Sequence, residues 1–351
     1  MASKWVLSAH GGPESLSLVK FEVPQQCGPN EVLIKVIATT ATYTDLLVMK
    51  GNYMPSPPLP LTPGYDLIGE VLAVGSCVPS EQLRVGDRVA AMPQSGCMAT
   101  HIALDASSVI KIPLEGVSPL EAVVCIRTGV TAYQMLHRCF KTTKDLRDVT
   151  ILIHGATGAT GSLILTLALS KGYQAKNIIG TAKSSNLSLL SAFGVHSVDY
   201  DGDWSTAVLE KTAGQGVDLV FDAICLGGYF ESALRCLKQG GKYVSYGFTH
   251  KNEPGALPIP SVLFFFAQQW YQQHVCSWFD GKEAEFYIIA DRRKSHPKEF
   301  EEDLAHLLSL VRDKELTLPT GRTWRFAQCK DALVGIAQNQ HAGVQVVRVA
   351  E

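Results

Sequence analysis

The stretch from Val149 to Gly161, VTILIHGATGATG, constrains the fold of this chain more than any other. Val149, Ile151, Leu152 and Ile153 make a short, partly β-branched apolar run suited to a buried strand, and Gly155, Gly158 and Gly161 punctuate the turn behind it. SLILTLALSKG follows, with its apolar residues at helical spacing. The sequence therefore predicts strand, tight glycine turn, helix. In such a unit the glycines let the backbone approach a pyrophosphate, while the helix start supplies unpaired N–H groups and the positive end of the dipole. Ala156, Gly158 and Gly161 stand at the three glycine places of G-x-G-x-x-G, with alanine in the first; Thr157, Ala159 and Thr160 complete the turn.

Roughly twenty residues beyond such a turn, an acidic residue ordinarily binds the ribose 2′-hydroxyl of NAD. Here the strand NIIGTA (177–182) ends in Thr181 and Ala182, and Lys183, Ser184 and Ser185 follow. A cation and two hydroxyls suit a 2′-phosphate, so these residues point to NADP(H). The alternation then continues with helix 187–193, strand 196–200, helix 204–212, strand 217–222, helix 229–238 and strand 242–246. Repeated βα units predict a doubly wound parallel sheet with ligand at the carboxyl ends of its strands. The loops 223–226 and 247–249 are then expected to face the cofactor.

The residues before about 122 read differently. EVLIKVIAT (31–39), GEVLAV (69–74) and LRVGDRVAA (83–91) alternate or turn as β-structure does, with a proline-rich loop between Tyr53 and Gly64. The tail predicts helices at 299–313 and 329–338 and a last strand at 344–349, returning to the N-terminal β region. A chain of 351 residues, 46% hydrophobic, has material for two domains. Its net charge of −2 gives no sign of a nucleic-acid or acidic-lipid partner. Nine scattered cysteines without a CxxC pair suit reduced thiols and a cytoplasmic setting. The N-terminus has no signal-peptide apolar region, and the most apolar run, 259–267, contains Pro260 and is too short to span a bilayer, so no integral membrane segment is expected.

TDLLVMKGNY, TPGYDLIGEVLAVG, VGDRVAA, TGVTAYQMLHR, GATGATG, GVDLVFDA, GGKYVSYGF and EDLAHLLSL run in this order through nearly the whole chain. Together they resemble the medium-chain dehydrogenase/reductase superfamily, in particular its zinc-free branch of NADPH:quinone oxidoreductases and the related VAT-1-like proteins. The resemblance implies a β-rich GroES-like catalytic domain at 1–124 and 284–351, and a Rossmann NADP(H)-binding domain at 125–283. It further implies an active site in the cleft between them and a homodimer. At the positions of the zinc ligands of the alcohol dehydrogenases stand Thr42, Tyr65 and Val124 or a neighbour, and the structural-zinc lobe is reduced to 93–98 with Cys97 alone. A catalytic zinc needs about three protein ligands, so no metal is expected.

Lacking a Lewis acid, such a protein is poorly suited to simple alcohol oxidation. A quinone or an α,β-unsaturated carbonyl needs less help, because conjugation spreads the charge left by an arriving hydride. The expected activity is NADPH-dependent reduction of such a small-molecule acceptor; the alternative is an NADPH-binding regulatory or membrane-peripheral protein with little turnover. Candidate catalytic residues are Tyr53, Thr44, Tyr65, Tyr43 and Asp45. A tyrosine hydroxyl can donate to a developing enolate, while Tyr43 and Tyr65 can equally be buried space-fillers. By resemblance Thr128 lies near the nicotinamide, Gly158 to Gly161 along the pyrophosphate, Lys183 and Ser184 at the 2′-phosphate and Tyr200 near the adenosine. Phe248 and Thr249 close over the nicotinamide ribose, and Ala223 begins the loop expected to face the cofactor. Arg127 either holds a substrate oxygen or pairs with a carboxylate. Phe264, Phe265 and Phe266, in the aromatic run 262–278, cannot all face one core, and at least one is expected to reach a partner or ligand.

Overall fold

A computed structural model describes residues 2–53, 55–249, 255 and 257–350. Two compact units emerge: Met1–Val130 with Pro254–Ala256 and Pro297–Glu351, and Thr131–Glu253 with Leu257–His296.

The first unit is β-rich. Strands β1 (Ala2–Leu7) and β2 (Leu16–Phe21) pair antiparallel as a ribbon. The main sheet is built on β3 (Glu31–Ala41), with β4 (Leu67–Val74), β5 (Arg88–Ala91), β6 (His101–Asp105) and β7 (Val109–Lys111). Val32, Ile34 and Val36 of β3 pack on Leu67, Val71 and Val89, so the alternation seen in EVLIKVIAT marks the buried face. Gly86, with φ of +90°, makes the turn into β5.

The second unit carries β8 (Ile151–Ile153), β9 (Ile178–Ala182), β10 (His196–Asp199), β11 (Val217–Asp222), β12 (Leu237–Ser245) and β13 (Glu283–Phe286), all parallel, in the order β10-β9-β8-β11-β12-β13. Strands covered by helices on both faces are apolar throughout, and every residue of β8, β9 and β11 is buried. The strand order reverses between β8 and β11, which places the ligand crevice of a doubly wound sheet beside the turn after β8. β12 starts five residues before the expected strand and includes Gly240 and Gly241, with Leu237 pairing Val217 across an irregularity in the ladder.

The chain's last strands, β14 (Thr320–Arg325) and β15 (Val344–Arg348), return to the first sheet, β15 lying antiparallel to β3. The expected boundaries at 124 and 284 move. Residues 284–296 stay with the second unit because β13 extends its sheet from β12. The helical turn Cys125–Gly129 stays with the first, because Leu307 of the helix Pro297–Arg312 closes to 3.3 Å of where a Cβ on Gly129 would stand. Among the described residues no helix is long and apolar enough to cross a membrane.

Candidate functional site

The turn after β8 is assembled by Thr181. Its hydroxyl accepts the Gly155 N–H at 3.2 Å and lies 3.1 Å from His154 Nδ1, and its carbonyl accepts the Ala156 N–H. Thr181 and Ala156 are both buried, and both hold the turn. Ala156 occupies the first glycine place because its methyl packs towards Gly180. Gly155 turns the chain at φ of +66°, and Gly161 lets the helix Ala159–Ser170 lie against the Gly155 carbonyl. That helix begins at Gly158 with no side-chain cap. The first N–H groups of a helix have no partner within it, so those of Ala159, Thr160 and Gly161 form an anion-ready end. Gly158 is exposed, and Thr157, Ala159 and Thr160 are half-buried.

At the end of β9, Lys183 and Ser184 are exposed. The Ser184 hydroxyl donates to the Asp199 carboxylate at the end of β10, a neighbour that one-dimensional reading did not bring to this loop. Tyr200 is tied by its N–H to the Ala182 carbonyl, and its own carbonyl accepts the Tyr229 hydroxyl. After β11, fully buried Asp222 clamps the loop: one carboxylate oxygen accepts the N–H groups of Ile224 and Cys225, and the other accepts the Tyr243 hydroxyl at 2.9 Å. The Thr249 N–H reaches the Ala223 carbonyl. Phe248 sits among Phe265, Phe266 and Phe286, so its ring is part of an aromatic cluster. Of the three adjacent phenylalanines, Phe265 is 2% exposed and Phe264 is 62% exposed, as the one-core argument required. A cavity of about 400 Å³ opens beside Phe264, bounded by Cys225, Gly228 and Gln268.

In the first unit the five catalytic candidates divide by burial. Asp45 is fully buried; its carboxylate accepts the Thr42 N–H and O–H at 2.8 and 2.9 Å and the Gly64 N–H at 2.9 Å. It caps its own helix, Tyr43–Met49, and pins the loop at Gly64, a structural task for a residue expected to be catalytic. Tyr43 accepts the Gly255 N–H. The Tyr53 and Tyr65 hydroxyls lie 2.7 Å apart; Tyr65 is buried, which holds its hydroxyl well above the usual phenol range, while Tyr53 is half-buried.

Two further residues, Asp66 and Arg127, join this cluster. Asp66 follows Tyr65 and is fully buried; its Oδ1 accepts the Thr40 N–H and O–H, and its Oδ2 faces Arg127 Nε at 3.8 Å. Burial pushes the Asp66 carboxyl up to about 6, against the pull of Arg127. Arg127 Nη1 donates to Thr44 Oγ1 at 3.3 Å, and the guanidinium stands 5.3 Å from the Tyr65 ring centroid. Arg127 thus pairs with a carboxylate, as one of the two expected roles had it. The π-helical turn Cys125–Gly129, a geometry frequent at functional sites, carries both Arg127 and Thr128. Among the described residues no group of three or more His, Cys, Asp and Glu is placed to hold a metal ion.

The Alcohol dehydrogenase GroES-like domain family matches residues 28–114, and the Zinc-binding dehydrogenase family matches residues 159–284. The chain is 27% identical over 344 residues to the synaptic vesicle membrane protein VAT-1 homolog of Rattus norvegicus, covering 96% of this chain and 82% of that protein. It is 31% identical over 243 residues to quinone oxidoreductase-like protein 2 of Mus musculus, covering 68% and 66%. Its fold matches the crystal structure of Escherichia coli quinone oxidoreductase complexed with NADPH at a TM-score of 0.80, with 21% identity over 99% of this chain and 100% of that one. With both domain families in order, the chain belongs to the medium-chain dehydrogenase/reductase superfamily, in its zinc-independent quinone-oxidoreductase and VAT-1-like branch.

Proposed function

We propose that this protein is an NADPH-dependent, zinc-independent oxidoreductase that reduces a quinone or an α,β-unsaturated carbonyl. The observation that carries the reading is the uncapped glycine start of the helix Ala159–Ser170 at the point where the sheet order reverses. A dinucleotide fits there: the N–H groups of Ala159, Thr160 and Gly161 would take the pyrophosphate, and a Cβ on Gly158 would meet only the Gly155 carbonyl, leaving its other sides open to a close approach. Lys183 would meet the 2′-phosphate, with Ser184 turning its hydroxyl from Asp199. Tyr200 would lie at the adenosine, and Thr128, Ala223, Phe248 and Thr249 towards the nicotinamide. When bound, NADPH would supply the hydride equivalent that acceptor carbon takes up, with a proton from water completing the product. The chain's own contribution is position and charge: Tyr53, held by Tyr65, presents a hydroxyl as a hydrogen-bond donor, and Thr44 is kept in place by Arg127.

The test is loss of reduced-nicotinamide absorbance with NADPH and then NADH, against a panel of 1,4-quinones and enones, after chelator treatment. Chelator-resistant turnover that prefers NADPH is expected, and the better acceptor decides quinone against enone. Activity lost on chelation would refute the zinc-independent reading. The similarity to the VAT-1 homolog favours a second reading, an NADPH-binding protein with little turnover; saturable NADPH binding without acceptor-dependent oxidation would establish it. The protein is expected to work as a cytoplasmic homodimer.

A further inference from the structure

We propose that Arg127 receives the acceptor's carbonyl oxygen as it becomes an anion, with Asp66 as the residue that positions it. This rests on the reading above and adds the group that holds the developing charge.

A guanidinium carries five N–H donors in a fixed fork. In Arg127 one is used, from Nη1 to Thr44 Oγ1 at 3.3 Å. Nε is buried without a hydrogen bond, because Asp66 Oδ2 at 3.8 Å is within ionic reach but beyond hydrogen-bond reach. Among the described residues no other acceptor meets the fork, although the side chain is only 12% exposed. The side chain as a whole is half-buried, but a buried N–H of a cation left without an acceptor is costly for a fold to keep unless something else satisfies the group. Thr128 Oγ1, one residue on in the same π-helical turn, is likewise buried without a partner.

The surroundings prevent internal satisfaction. Asp66 cannot advance on Arg127, since its other oxygen is held by the Thr40 N–H and O–H at 3.2 and 2.6 Å. Asp45, the second carboxylate nearby, has its oxygens committed to Thr42 and Gly64. Tyr65 offers Arg127 its ring and its hydroxyl to Tyr53. The half-buried members of the cluster, Thr44, Tyr53 and Arg127, bring hydroxyls and guanidinium N–H groups to its accessible side, while both carboxylates are buried.

That is a preorganised donor site for an oxyanion. When acceptor carbon gains hydride, one electron pair moves to the carbonyl oxygen, giving an enolate, which in the quinone case becomes the hydroquinone monoanion once the proton on that carbon shifts to the second oxygen. The guanidinium stabilises that oxygen without surrendering a proton, as its own acidity is far too low, and the product's proton comes from water.

The test separates this proposal from the reading beneath it. 4-Nitrophenol, a mimic of the hydroquinone monoanion, is titrated into the cofactor-free protein and followed by phenolate absorbance. The wild type is expected to prefer phenolate over phenol about tenfold, as a charge-assisted bond to a guanidinium should. Arg127→Met should abolish the preference and Asp66→Asn should reduce it. In turnover, Arg127→Met should lower kcat roughly 10²-fold with NADPH affinity unchanged, and added guanidinium ion should restore part of the rate to Arg127→Ala. Should Arg127→Met fail to fold, Arg127→Lys keeps the charge but loses the fork, and should retain only part of the preference. Equal binding of phenol and phenolate by the wild type, no binding of either, or full retention of rate and preference by the folded variant overturns the proposal. Phenolate preference in a wild type that never oxidises NADPH upholds the anion site and sinks the oxidoreductase reading instead.

Discussion

Alanine at position 161 would place a Cβ 2.3 Å from the Gly155 carbonyl oxygen and 2.9 Å from the Ala156 Cα. Both are backbone atoms, so no side-chain rotation relieves the clash; the turn after β8 must move or the helix Ala159–Ser170 must lift. The Gly155 carbonyl also accepts the Gly158 N–H at 2.8 Å, and moving it strains that bond as well. Overpacking of this kind costs about 1–3 kcal/mol, and a backbone oxygen this close puts Gly161→Ala near the upper figure. Alanine's better helix propensity returns about 1 kcal/mol, leaving a net loss of about 2 kcal/mol. Gly158→Ala is the internal control. Its Cβ meets only the Gly155 oxygen, at 3.1 Å, and its φ of −75° suits any residue, so the cost is about 1 kcal/mol or less, set by the loss of a glycine N-cap. The same methyl, however, stands where the pyrophosphate is proposed to approach. Urea unfolding followed by tryptophan fluorescence reports on this region, because Trp204 packs edge-on against His154 at the end of β8, with ring centroids 4.4 Å apart. Gly161→Ala should lower the unfolding midpoint clearly; Gly158→Ala should leave it nearly in place while weakening NADPH binding about tenfold or more. An unchanged midpoint in Gly161→Ala would refute the packing argument, and NADPH bound by Gly158→Ala as by the wild type would refute the placement of the pyrophosphate.

Asp45→Ala removes the acceptor of three hydrogen bonds inside a closed site and should cost about 3 kcal/mol or more in urea unfolding, with any activity loss tracking the unfolded fraction. The Asp66 carboxyl is pushed above its unfolded value, so folding favours its protonated form: the contribution is fully present below the ordinary carboxylate range and is lost as pH rises to about 6. Asp45, also raised by burial, acts in the same sense and remains in Asp66→Asn, while Arg127, Tyr65 and Cys97 face the pair in both proteins. The difference between the two stability–pH curves should therefore change between about pH 4 and 6 and be flat above, and a parallel pair of curves would refute the assignment. Of the nine free cysteines only Cys77 is exposed, and Cys27 and Cys276 are half-buried, so a thiol reagent should titrate at most three in the native protein and all nine in denaturant. Lys183→Ala should weaken NADPH binding about tenfold and leave NADH binding alone, measured by cofactor fluorescence; equal effects on both would place the 2′-phosphate elsewhere.

Local pattern carried the doubly wound sheet. Apolar runs such as ILI and VDLVFD, separated by helical spacing and glycine turns, become strands buried on both faces wherever they occur, so β8, β9 and β11 fell close to their expected ranges. Edges and short strands were less legible. β13 has the sequence EAEF, with two charged residues in four, and takes strand form because β12 offers it a ladder. β12 likewise runs through two glycines that local signals assign to a turn. At the candidate site, residue types were visible but their occupations were not. Asp45 stands beside Thr44 in the sequence as a candidate catalytic residue, and its carboxylate is engaged in the capping box Thr42–Asp45. Thr181 appears at a cofactor-contacting strand end and is consumed by the Gly155 turn, 26 residues away in sequence.

The sequence by itself determined the two-domain superfamily architecture, the glycine turn ahead of an uncapped helix and the residue types that disfavour a metal, because backbone freedom and ligand chemistry reside in residue identity. Tertiary structure alone decided that Asp199 meets Ser184, that Asp66 lies beside Arg127, and that Arg127 keeps unused donors while Asp45 keeps none. Those outcomes depend on which buried partner reaches a polar atom first, and such partners lie tens of residues apart, where no periodicity or local propensity connects them.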